Sequence, residues 1–182
     1  MNSRCSFPPS FQPGRRAFLV ALALAGCGGN RNGPRPGELL PDLALTGLDG
    51  GTLETRSMRG SVLVLNTWAT WCPPCRREMP ALQRLSDAMD ATRVVVAGLT
   101  VDRDLNLVRE FLLAHRVSFR QYVDPDMALA NGVLRVVGFP ETFVLAPDGR
   151  LAARVVGERA WDAPEMARAL QALARGEPAQ IR

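Results

Sequence analysis

Lysine is absent from this chain of 182 residues: all 22 of its Lys+Arg positions are arginine, set against 18 acids. So uniform a choice reads as compositional bias and not as a feature of any site. The formal charge of +4 is unevenly placed. Residues 1–26 hold Arg4, Arg15 and Arg16 and no acid, leaving 19 arginines against 18 acids, or +1, for the remainder. A near-neutral body lacks the basic stripe that a phosphate backbone requires, which argues against a nucleic-acid partner. Histidine occurs once, as His115. No apolar run reaches the roughly 20 residues that cross a bilayer as a helix, and no internal repeat is visible. The length suits one domain with a sizeable core.

One apolar stretch, residues 17–25, is about half a membrane span and follows Arg15-Arg16. Small and polar residues come directly after it, so it reads as the core of a signal peptide occupying residues 1–26. Leu24-Ala25-Gly26-Cys27 resembles the bacterial lipoprotein cleavage box, in which the cysteine takes the lipid and becomes the first mature residue. Arg15-Arg16-Ala17-Phe18-Leu19 also resembles a twin-arginine export signal. The expectation is an exported protein, held at the periplasmic or extracytoplasmic face of a membrane through lipidated Cys27. Residues 27–37 would then be the anchor and a flexible spacer, since Gly, Pro, Asn and Arg make up all of 28–37. Of the four cysteines, Cys5 leaves with the leader and Cys27 carries lipid. Cys72 and Cys75 remain as one pair, which suits an oxidising compartment.

Past the spacer the pattern alternates. Residues 43–45 and 52–54 flank Asp49-Gly50-Gly51 and predict a short hairpin. Residues 62–65 are solidly apolar, as in a central strand buried on both faces, and 94–97 form a second such run. Met79, Leu82, Leu85 and Met89 are spaced to share one helix face. Asp104 is a candidate cap for a helix carrying Leu107, Val108, Phe111 and Leu112. Residues 119–123 predict a strand and 126–131 a short helix. Residues 142–145, the Pro147-Asp148-Gly149 turn and 151–156 predict a closing hairpin, and 162–175 a last helix. The expected class is one α/β domain with a mixed central sheet flanked by helices over 38–176, and a C-terminal tail at 177–182.

The chemistry concentrates in Trp71-Cys72-Pro73-Pro74-Cys75, between a buried strand and a helix start. Free backbone N–H groups and the positive end of the helix dipole would stabilise a thiolate at Cys72. Cys75, one turn on, could attack a mixed disulfide formed there. Pro73 and Pro74 suit a first helical turn and stiffen the loop. The same pair could be half of a zinc site, a structural disulfide or two inert thiols. Zinc needs ligands beyond His115, and a disulfide closing so short a loop removes little chain entropy. No metal or other cofactor is expected.

Residues 62–80, VLVLNTWATWCPPCRREMP, resemble the active-site block of the thioredoxin superfamily, and within it the TlpA/ResA-like branch of membrane-tethered proteins that includes the CcmG type. The likeness runs from Gly37 to Gly176 and includes residues 138–143 and the Pro147-Asp148-Gly149 turn. It implies a thioredoxin-like fold opened by an N-terminal β-hairpin. It implies catalytic roles for Cys72, Cys75 and Glu78, with Glu78 a carboxyl close to the sulfurs that raises their pKa and carries the proton of Cys75. Pro140 corresponds to the family's cis-proline, which exposes the backbone of Phe139 to an extended client. Phe139 is bulky for that place. Trp71, Pro73 and Pro74 would complete the client-binding surface, with Trp68 packing nearby. Asn66 stands where ordinary thioredoxins carry a buried aspartate, and could satisfy backbone groups. Pro80 would kink the active-site helix.

The resemblance thus implies a monomeric protein disulfide reductase fed by a membrane dithiol donor. Its clients would be apocytochrome c or the cysteine pair of a copper site, during respiratory-chain assembly. Three other functions fit the residues less well. A disulfide donor would use the same pair at a different potential. A peroxide reductase would set a threonine three residues before its cysteine, whereas Thr70 lies two before Cys72. A copper-holding assembly factor would need soft ligands beyond two sulfurs.

Overall fold

Val62–Trp68 (β3) has every side chain buried, because the strand is the middle of a sheet covered on both faces. A computed structural model describes residues 33–181. Strand β3 pairs in parallel with Val94–Thr100 (β4) and antiparallel with Glu141–Leu145 (β6). Strand β4 pairs in parallel with Arg120–Val123 (β5), and β6 turns back through Asp148-Gly149 into Leu151–Val156 (β7). The predicted hairpin, Ala44–Gly47 (β1) and Thr52–Glu54 (β2), adds to the far edge through β5. The order is β2-β1-β5-β4-β3-β6-β7, a mixed sheet of seven strands. At the β6–β7 turn Gly149 has φ +82°, a conformation glycine enters without steric cost.

Period-two alternation along β3 divides the interior. Val62, Val64 and Trp68 point into a cluster with Met79, Leu82 and Leu85 of Pro73–Ala88 (α1). Val108 and Phe111 of Leu105–Ala114 (α2) and Met166 and Leu170 of Pro164–Ala174 (α4) join that cluster. Leu63 and Leu65 point to the opposite face, packed with Leu40, Leu43, Met58 and Phe143. A 3-10 turn at Thr55–Met58 covers part of that face.

Three expectations shift in detail. The short helix predicted over 126–131 is confined to Ala128–Asn131 (α3), because Met127 takes a left-handed conformation before it. Helix α1 stops at Ala88, so Met89 is buried as its cap residue rather than on its face. Residues 33–37 are not a free spacer. Gly33 is buried, the Gly37 N–H donates to Leu151 O at 2.8 Å, and the Gly37 carbonyl accepts from Arg150 Nη1 at 2.9 Å. The open edge of β7 supplies these partners. At the other end Ile181 packs against the α1–α4 cluster. Cys27, the leader and residues 27–32 lie outside the described residues. Among the described residues no helix is long and apolar enough to cross a membrane.

Candidate redox site

Cys72 occupies the N-cap of α1, with extended backbone (φ −97°, ψ 106°) and Pro73 and Pro74 directly after it. Its sulfur accepts from the Cys75 N–H at 3.3 Å. Proline has no N–H to leave unpaired, so the first donor the helix start can offer is that of Cys75, and it is aimed at sulfur. Cys72 and Cys75 form a disulfide with Cα atoms 5.3 Å apart. Cys72 keeps 4% of its surface exposed and Cys75 none.

The sequence singled out residues from three distant segments, and the fold brings them together. The Phe139–Pro140 bond is cis. Neither the N–H nor the carbonyl of Phe139 has a hydrogen-bond partner among the described residues, while Pro140 O accepts from Gly157 N at 2.8 Å. Trp71, 63% exposed, meets the Phe139 ring edge-on with centroids 5.8 Å apart. The cysteine loop and the cis-proline loop therefore share an aromatic contact beside the disulfide. Glu141, buried, fixes the second loop: it accepts from Val137 N at 2.8 Å and is ion-paired with Arg154, whose Nη2 donates to Arg135 O at 2.7 Å.

Glu78 lies one turn beyond Cys75 on the buried face of α1, with 2% of its surface exposed. Among the described residues it forms no ion pair. Asn66 Nδ2 donates to Oε1 at 2.7 Å, and the Arg159 N–H and Trp161 Nε1–H donate to Oε2 at 3.2 and 3.1 Å. Burial outweighs these three donors, and the nearby Glu158 charge adds to it, so the pKa rises from 4.5 to about 7. Among the described residues the Asn66 side chain bonds no backbone group. Its alternation with Val64 and Trp68 turns it toward α1, and its second donor goes to Thr142 Oγ1 at 2.9 Å.

Trp68 is buried in the same cluster as both cysteines, its Nε1–H bonded to Gln121 Oε1 at 3.0 Å. Pro80 sits inside α1, which continues past it to Ala88. Thr70 is held away from any role on sulfur: its N–H and hydroxyl donate to the two oxygens of Asp102 at 2.7 and 2.9 Å. Sequence reasoning missed Trp161, Thr142 and Asp102, none of which belongs to a local motif with the cysteines. Among the described residues no group of three or more His, Cys, Asp or Glu side chains is placed to hold a metal ion. A cleft of about 610 Å³ between the β1–β2 hairpin and α2 has none of these site residues in its lining.

A disulfide at a helix N-terminus, a cis-proline beside it and a buried acid one turn on form an arrangement suited to thiol–disulfide exchange. Comparison with known proteins agrees. The model of the AhpC/TSA family matches residues 36–154. The thioredoxin-like protein YneN of Bacillus subtilis is 32% identical over 119 residues, covering 64% of this chain and 69% of its own. The thiol–disulfide oxidoreductase ResA of Halalkalibacterium halodurans is 30% identical over 122 residues, covering 67% of this chain and 69% of its own. A structure described as a thiol:disulfide interchange protein DsbE, from Chlorobium tepidum, superposes with a TM-score of 0.67 at 26% identity, covering 78% of this chain and 99% of that one. The chain belongs to the AhpC/TSA family, and within it to the thioredoxin-like thiol–disulfide oxidoreductases of the ResA type.

Proposed function

We propose that this oxidoreductase works as a reductant of client disulfides outside the cytoplasm, tethered to a membrane by a lipid on Cys27. The observation that carries the redox part is Cys72 as the cap of α1, sulfur facing a backbone N–H, with Cys75 buried behind it. A thiolate at Cys72 gains from that N–H and from the helix dipole. It attacks one sulfur of a client disulfide, and the other client sulfur leaves with the bonding pair. The Cys75 thiol passes its proton to Glu78 and attacks Cys72 Sγ, releasing the second client sulfur. Two electrons have moved to the client, and the protein is left as the Cys72–Cys75 disulfide. A dithiol donor in the membrane restores the pair.

Phe139 offers its unpaired backbone to an extended client segment, and Trp71, Pro73 and Pro74 form the facing wall. The clients proposed are apocytochrome c and copper-site cysteine pairs. The tether rests on the residues around Cys27 and on the fit of one remaining cysteine pair to an oxidising compartment.

Direction is tested by titrating the protein against dithiol buffers and reading alkylation at Cys72 and Cys75 separately. A midpoint at or below about −220 mV, in the range of thioredoxin and glutaredoxins, is the expected result. A midpoint near about −120 mV would make disulfide donation the better account. Cys75→Ser is expected to accumulate a mixed disulfide with its client on Cys72, visible as a reducible adduct, whereas Cys72→Ser forms none. Adducts on Cys75 instead would reverse the assigned order of attack.

A further inference from the structure

Beneath the cysteine helix two polar groups are left half used. Asn66 Nδ2 donates to both Glu78 Oε1 and Thr142 Oγ1, at 2.7 and 2.9 Å, while the buried Asn66 Oδ1 accepts nothing among the described residues. The Thr142 hydroxyl accepts from Asn66 and has no acceptor of its own among the described residues. Interior groups of this kind cost free energy wherever they stay unpaired.

The other side of Glu78 is fixed. Its Oε2 takes a backbone N–H from Arg159 and an indole N–H from Trp161, and neither can turn round to accept. A proton arriving on Glu78 therefore belongs on Oε1, where it meets the N–H of Asn66. We propose that the Asn66 carboxamide is a two-position element that reverses with the charge of Glu78. Opposite the carboxylate it donates through Nδ2. Opposite the neutral acid it accepts through Oδ1, from Glu78 Oε1–H and from Thr142 Oγ1–H together. Two hydrogen bonds are exchanged for two. The motion is a half-turn about the last torsion of Asn66, and the two ends of the amide have nearly the same shape.

This rests on the reading of Glu78 as proton acceptor for Cys75. The proton leaves the Cys75 thiol and lodges on Glu78 Oε1, while the sulfur's electron pair forms the bond to Cys72. Asn66 is a positioning residue: it lets a buried acid hold either charge without shifting α1. The groups that meet Glu78 are Asn66 on β3, the Arg159 N–H and Trp161 after β7, with the Glu158 charge nearby; Cys75 lies one turn back on its own helix, and Thr142 on β6 meets Asn66. Glu158 is itself paired with Arg77, and the Arg159 guanidinium donates to Glu158 O at 3.0 Å.

The test is nuclear magnetic resonance on the oxidised full chain in detergent, labelled at Asn side-chain nitrogens and Glu carboxyl carbons, from about pH 5 to about pH 9. The Asn66 amide protons are expected to move in one step, with the midpoint of the Glu78 carboxyl. Their cross-relaxation to the Thr142 methyl should be strong at the alkaline end and lost at the acid end. In Glu78→Gln, whose amide can only donate toward Asn66, the Asn66 signals should stay at the acid-end position throughout. Glu78 titrating while Asn66 keeps its alkaline contacts would overturn the two-position element and leave the acid–base role intact. A Glu78 carboxyl that does not titrate in this range would remove both.

Discussion

Burial moves the Glu78 carboxyl from 4.5 to about 7, and that direction fixes a consequence for stability. An acid whose folded value is raised holds more protons folded than unfolded between the two values. Its contribution to stability is present at low pH, falls as pH climbs from about 4.5, and levels off above about 7. The whole shift is worth about 3 kcal/mol. Glu78→Gln removes this dependence, so the variant is expected to gain on the parent by most of that amount between pH 5 and pH 8. Denaturant unfolding of the oxidised protein at both pH values measures it; equal behaviour of the two proteins would place the carboxyl in water. At this scale the cysteine pair was legible because its chemistry lies within four residues. Glu78 was legible as a candidate, but its partners were not. Asn66, Arg159 and Trp161 lie 12, 81 and 83 positions away, and no periodicity links them.

Among the elements, α2 shows what a local signal can fix. Asp104 Oδ1 accepts from Asn106 N at 2.9 Å and Leu107 N at 3.4 Å, closing the helix start as predicted. Asp104→Ala is expected to cost about 1 kcal/mol in denaturant unfolding while leaving the redox midpoint of the cysteine pair unchanged. Loss of that midpoint would show that α2 reaches the site through more than packing. Helix α1 begins differently: its cap is a cysteine, a weaker acceptor than aspartate, and the N–H it leaves poorly matched serves the sulfur instead. The long strands β3 and β4 were plain from their unbroken apolar runs. The expectation over 126–131 overruns the four-residue α3 because Met127 sets its start by backbone conformation, which side-chain pattern does not record.

Over the whole molecule, the sheet separates a cluster that contains the redox pair from one that does not. Leu40, which is buried in the second cluster, offers a clean separation of stability from chemistry. Leu40→Ala is expected to lose about 2–5 kcal/mol of unfolding free energy, with the redox titration unmoved. A shifted midpoint would mean that the two faces of the sheet are coupled. The alternation of strands and helices gave the fold class from sequence. The strand order did not follow from it, since β1 joins β5 across more than 70 residues and leaves no local mark. For the same reason residues 33–37 looked unstructured: what orders them is the edge of β7, far along the chain.

The unequal exposure of the two cysteines gives the protein a form of self-cleaning. A small thiol or an oxidant from outside meets Cys72 first, the residue of the pair that keeps a sliver of surface. Any cap it leaves therefore lands directly over the one group poised to displace it. A mixed disulfide is shed as a free thiol, and a sulfenic acid as water, as the pair closes on itself, so damage of this sort returns the molecule to a resting state it already visits.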